Sequence, residues 1–259
     1  YRAIDAILQQ DPSLVGQPNA ASWTPLHLAC EKRLLWRSNV ASCEIVLRLI
    51  AACPGAVSVK LQSGYKAKTP FHIACDTNAS ISVLQAMLRA DPSLAVQGYQ
   101  GDDTSSSRRT KFRSNGQTPL ELLWNAQIRD LQPPRLKDSL AKMELLLRAA
   151  YRGTIDNGDD EWFPIVCAAC SIRCPRDYIS RLLTIHQDQI SMPDPQTGHL
   201  PLHLAIWNAK DDETSTYSAF VMERLIEHYP AAALIPFHPG SRILPLHVLV
   251  ADRGMTWHQ

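Results

Sequence analysis

The stretch Trp23 to Cys30, W-T-P-L-H-L-A-C, returns five more times along the chain, and this repetition restricts the possible folds more than any other feature. The returns are K-T-P-F-H-I-A-C at 68–75, Q-T-P-L-E-L-L-W at 117–124, W-F-P-I-V-C-A-A at 162–169, H-L-P-L-H-L-A-I at 199–206 and I-L-P-L-H-V-L-V at 243–250. The prolines that carry the phase are Pro25, Pro70, Pro119, Pro164, Pro201 and Pro245, in steps of 45, 49, 45, 37 and 44 residues. Self-similarity at such a period means repeated supersecondary units, none of which buries its apolar face alone, so neighbours stack to make a core.

Each copy reads as a helix start. A threonine before a proline can cap the first turn with its hydroxyl, and proline at the first helical position gives up an N–H that had no partner there. Thr24, Thr69 and Thr118 keep that cap. Apolar residues follow at Leu26, Leu28 and Ala29 and at matching places in the other copies, which predicts a short helix buried on more than one side. Small residues at Ala29, Ala74, Ala168 and Ala205 let a neighbouring helix come close.

A second pattern alternates with the first. Apolar helical stretches end in a proline at Ala6–Pro12, Leu47–Pro54, Ala86–Pro92 and Met222–Pro230, and weaker versions without proline lie at Met143–Tyr151 and Tyr178–Gln187. Counted from each stop to the next helix-starting proline, the connectors have 13, 16, 27, 13, 14 and 15 residues, so all but one have nearly the same length. That regularity is expected of one turn or finger repeated between units.

The T-P-L-H-L-A copies at 24–29 and 69–74, each followed by a second apolar helix, resemble the first-helix signature of ankyrin-repeat proteins. The likeness extends along essentially the whole chain, weakening in the third, fourth and sixth copies, and steps longer than the family's usual 33 or so residues imply insertions. It implies an all-α, ankyrin-like α-solenoid of helix-turn-helix repeats joined by turn or finger connectors. Its parts are a second helix at 1–19, repeats at 20–61, 62–98 and 99–158 with a long loop at 98–116, a degenerate repeat at 159–194, a repeat at 195–238 and a first helix at 239–259. The incomplete first and last parts suggest a segment of a longer protein. The resemblance implies a non-catalytic scaffold that binds a protein partner through finger tips and first-helix ends. The tips are Trp23, Lys68, Gln117, Trp162, His199 and Ile243; the helix positions are Glu31, Lys32, Asp76, Thr77, Asn125, Ser171, Trp207 and Asn208. Trp23 and Trp162 share one tip position, where a tryptophan serves either as a contact or as a cap on its neighbour's core.

Composition agrees with that class. The 26 basic and 25 acidic residues nearly cancel, which provides no global field for nucleic acid or an anionic membrane. No apolar run is long enough for a membrane helix, and no secretory h-region opens the chain. Seven cysteines, an odd number, with Cys30 and Cys75 at one repeat position, read as packing in a reducing compartment, cytoplasmic or nuclear, rather than as a disulfide framework.

The features that resemble chemistry each have a structural alternative. His27, His72, His203 and His247 share one phase, with Glu121 and Val166 in the same place elsewhere, but copies spaced by about a helix width of 10 Å cannot gather one metal. They are expected to bond turn backbone instead. Cys167, Cys170 and Cys174 lie on one helical face if the helix passes Cys170, and would then be either packing or zinc ligands. The 98–116 stretch, with Arg108, Arg109, Lys111 and Arg113 beside Ser105–Ser107 and Thr110, reads as a solvated loop or as a phosphate or phosphorylation site. Ser139 to Lys142 fits S-x-x-K, a pattern short enough to arise by chance. No glycine-rich phosphate loop, G-x-S-x-G or H-E-x-x-H motif occurs, so no catalytic residue, cofactor or small-molecule substrate is expected. Two other functions fit the sequence: a regulatory segment of a larger enzyme or channel, and a zinc- or nucleic-acid-binding variant.

Overall fold

The computed structural model describes residues 2–31, 40–61, 67–98, 117–128, 136–155, 162–209, 216–238 and 240–251. Among these residues it contains twelve α-helices, several short 3-10 turns and no strand. The chain divides into two compact units, Tyr1–Asp159 and Asp160–Gln259.

The first unit contains α1 (Arg2–Gln10), α2 (Pro25–Glu31), α3 (Val40–Ala52), α4 (Pro70–Asp76), α5 (Ile81–Ala90), α6 (Pro119–Ile128) and α7 (Leu136–Arg152). The short proline-led helices α2, α4 and α6 touch in chain order, and the longer α3, α5 and α7 do the same. Each short helix also packs on the long helix that follows it. The second unit holds α8 (Ile165–Ser171), α9 (Arg176–Ile185), α10 (Pro201–Asn208), α11 (Thr216–His228) and α12 (Pro245–Ala251). Within it α10 touches α8 and α12, and α9 touches α11.

The prolines that close the long helices also open something. Pro12, Pro54, Pro92 and Pro230 each begin a 3-10 turn, and the residue before each lies outside the helical region, with φ between −142° and −154°. Steric conflict with the proline ring pushes that preceding residue out of the helical region. In the twice-used D-P-S-L, Asp11 and Asp91 accept the amide and hydroxyl of Ser13 and Ser93, at 3.0 and 2.6 Å and at 3.1 and 2.6 Å. Burial pushes the Asp91 carboxyl up, but the bonds from Ser93 and from the Ser58 hydroxyl at 2.6 Å outweigh it and hold the group below its usual range.

The interior is aliphatic. Leu26, Phe71, Leu84, Met87, Leu88, Leu120, Leu123, Leu146 and Leu147 are fully buried in the first unit, and Tyr178, Ile179, Leu183 and Leu225 nearly so in the second. Among the described residues one cation joins this interior: Lys142 of α7 is buried, with Nζ 2.9 Å from Asp138 and 3.0 Å from the Asn78 side-chain oxygen. The Lys of the S-x-x-K pattern is thus a tether from α7 to the α4–α5 turn.

Several expectations need correction. Leu28 is exposed, because α2 turns that side away from α3 and α4. Ile7, expected to share one apolar helix face with Ile4 and Leu8, is exposed as well, and α1 has no fully buried residue. The sequence places an insertion over Ile128–Ser139 before a helix from Leu140, but α7 begins at Leu136. Helix α8 stops at Ser171, and Pro175 caps α9, so Cys174 lies beyond the helix and the three cysteines share no helical face. All three are buried; burial pushes the Cys167 thiol up to about 12 and Cys170 well above its usual value. Lys32, the 99–116 part of the basic stretch, residues 129–135 of an insertion expected over 128–139 and the loop expected at 211–215 lie outside the described residues.

Candidate partner-binding surface

The fingers close by one recurring backbone bond. The residue just before each helix cap offers its carbonyl to an earlier amide: Trp23 to Asn19 at 2.9 Å, Lys68 to Leu61 at 3.0 Å, His199 to Asp194 at 2.8 Å and Ile243 to Phe237 at 3.0 Å. In the fingers of Trp23, Lys68 and His199 the residue directly before the tip is left-handed: Ser22 (φ 65°), Ala67 (φ 59°) and Gly198 (φ 72°). An Asx side chain organises two of these turns. Asn19 accepts the amides of Ala21 and Trp23, and Asp194 accepts the amide and hydroxyl of Thr197.

The helix start is fixed by a threonine–histidine pair. The Thr24 hydroxyl accepts the His27 amide at 3.3 Å while His27 Nδ1 receives the Thr24 hydroxyl at 2.6 Å and its amide at 3.3 Å. Thr69 and His72 repeat this geometry. The other nitrogen bridges onward: Nε2 of His27, His72 and His203 meets the carbonyls of Lys68, Gln97 and Ile235 at 3.3, 2.7 and 3.1 Å. A carbonyl only accepts, so Nε2 carries the proton, Nδ1 is bare and the ring is neutral. Burial lowers all three, His72 to about 4. With both nitrogens committed, these rings are braces.

In the third copy Glu121 takes the Thr118 amide at 3.2 Å and gives its own amide to Thr118 Oγ1 at 3.2 Å. It can cap, but a carboxylate has no proton to pass on. In the fourth copy the register slips by one. Pro164 is the cap and Ile165 the first helical residue, whereas Pro25, Pro70, Pro119, Pro201 and Pro245 are themselves first. Cys167, not Val166, therefore holds the histidine position, and its Sγ donates to the Met192 carbonyl at 3.9 Å. The slip also puts buried Phe163 where Trp23 stands, and Trp162 one residue farther out, so the two tryptophans do not share a tip position.

Tip and helix end meet within a copy. Lys68 lies 3.8 Å from Asp76, and His199 stacks on Trp207 with ring centroids 6.4 Å apart and planes at 26°; both pairs join the tip to the seventh helical residue. Trp23 is half-buried, its edge against His27 at 6.1 Å. Glu31 and Asn125 are exposed, and Gln117 and Ser171 half-exposed. The eighth position faces inward: Thr77 donates to the Cys30 carbonyl and Asn208 to the Cys170 carbonyl, each at 3.1 Å, tying a helix to its predecessor. The apolar members Trp207, Ile243 and Trp162 are open as well, at 58, 52 and 44% exposed. All the expected contact residues of the second unit, Trp162, Ser171, His199, Trp207, Asn208 and Ile243, lack a formal charge, whereas those of the first include Glu31, Lys68 and Asp76.

Sequence reasoning did not find Phe237 and His238. Phe237 stacks on His203 at 4.4 Å, and His238 stands 5.1 Å from His199. Their segment, P-F-H-P-G, lies outside the repeated motif and carries only turn signals. Among the described residues no three His, Cys, Asp or Glu side chains are placed to share a metal ion, and no helix is long and apolar enough to cross a membrane. No protein-family model matches the chain, and no curated protein matches it with significant similarity.

Proposed function

We propose that the chain is a non-catalytic recognition module, an ankyrin-like α-solenoid segment that holds a protein partner on its finger tips and first-helix ends. The order of helix contacts within each unit and the recurring finger and brace geometry support this reading. The observation that carries it is Trp207, 58% exposed and braced on one side by His199. A large ring kept in water and held in one orientation is what an interface anchor requires, because little freedom remains to be lost on binding. The expected contact residues that share its unit lack a formal charge, which favours an apolar or aromatic element of the partner over a highly charged one.

Affinity capture with mass spectrometry, followed by titration of the purified partner, tests this. Trp207→Ala should weaken binding by about tenfold or more, in the range of a hot spot, with an unchanged melting temperature. Trp162→Ala should act the same way, more weakly, while Trp23→Ala should lower the melting temperature because that ring rests on His27. Failure to retain any protein, or full affinity in both Trp207→Ala and Trp162→Ala, would sink the reading.

A further inference from the structure

Two imidazoles of the second unit, His199 on the finger tip and His238 after the last 3-10 turn, take no part in the braces. Their centroids are 5.1 Å apart and their planes meet at 56°. His199 Nδ1 is buried and has no hydrogen-bond partner. The His238 ring is exposed and makes no hydrogen bond among the described residues. A buried ring nitrogen without a partner is costly and calls for an explanation. His203, 5.9 Å from His199, cannot supply it, since its nitrogens already serve the Leu200 amide and the Ile235 carbonyl.

We propose that His199 and His238 form a two-nitrogen clip for a borderline divalent metal ion of the zinc class. An ion about 2.0–2.1 Å from an imidazole nitrogen stands about 3.2 Å from that ring's centroid. Two centroids 5.1 Å apart then subtend an angle of about 105° at the ion, close to the tetrahedral value such ions prefer. Imidazole suits Zn2+, Ni2+ and Cu2+, whereas Mg2+ and Ca2+ prefer oxygen. No third protein donor stands with the pair among the described residues, so water completes the coordination sphere and leaves sites open to a ligand from outside. The clip needs no partner protein, and His238 is not among the tip and helix-end contacts. Its failure and that of the recognition surface can therefore be told apart.

The test is titration of the whole chain with ZnCl2 by calorimetry, and with paramagnetic NiCl2 while imidazole proton–nitrogen correlations are recorded. One equivalent of Zn2+ should bind, and the ring signals of His199 and His238 should broaden together at the lowest Ni2+ and recover with chelator. His238→Ala, at an exposed position, should abolish that equivalent with the melting temperature unchanged, whereas His228→Ala should leave it intact. Undiminished Zn2+ binding in His238→Ala, absence of any bound equivalent, or broadening that begins at other histidines would overturn the proposal.

Discussion

The neutral rings of His27, His72 and His203 make the stability of the chain depend on pH in a definite direction. Each has a folded value below that of the unfolded chain, so unfolding takes up protons and stability rises with pH. For His72 the contribution is complete above the ordinary histidine value of 6.5 and is lost as pH falls toward about 4. Between pH 6.5 and 5 that ring alone should cost on the order of 2 kcal/mol. Urea midpoints at pH 7.5 and 5 should show the decline, and His72→Gln should flatten it while lowering the midpoint throughout. A second residue-scale prediction concerns Ala67, held at φ 59°. Ala67→Gly should stabilise by about 0.5–1 kcal/mol in urea unfolding, because glycine enters the left-handed region without the methyl clash. Gly198→Ala, at φ 72° with open space around it, should cost about as much through conformation alone.

At the scale of the helix, copy four explains why a cysteine replaces a histidine. The brace needs an N–H on the cap residue to give to Nδ1, and Pro164 has none. A thiol requires only an onward acceptor, which Met192 provides. Cys167→His should therefore destabilise by roughly 1–3 kcal/mol in urea unfolding, because Nδ1 would be buried without a partner. The short helices were legible because Thr-Pro announces a cap and a first residue in three copies, and an apolar phase follows in all. The slip was not legible, since a proline can be either the cap or the first residue and only the backbone shows which. Nor were the 3-10 turns: Pro12, Pro54, Pro92 and Pro230 read as endings, and their role as beginnings depends on the non-helical residue before each. In the sequence Lys68 and Asp76, and His199 and Trp207, are separate positions, because the geometry of a closed finger is what joins them.

Across the whole molecule, protection should follow the number of sides on which an element is covered. Helices α4 and α5 have neighbours before and after them and bury most of their apolar residues, while α1 buries none and α12 only Pro245. Native-state hydrogen exchange should find the slowest amides in α4 and α5 and the fastest helical amides in α1 and α12. The four finger closures span different stretches, Asn19–Trp23, Leu61–Lys68, Asp194–His199 and Phe237–Ile243, yet each leaves the same carbonyl-bearing residue beside the helix cap. Tip length is thereby uncoupled from everything beneath it. A foreign peptide spliced between Asn19 and Ser22, or between Asp194 and Gly198, would replace the turn that the Asx side chain organises while the carbonyl beside the helix cap remains to close the finger, which makes these positions grafting points for engineering new specificity.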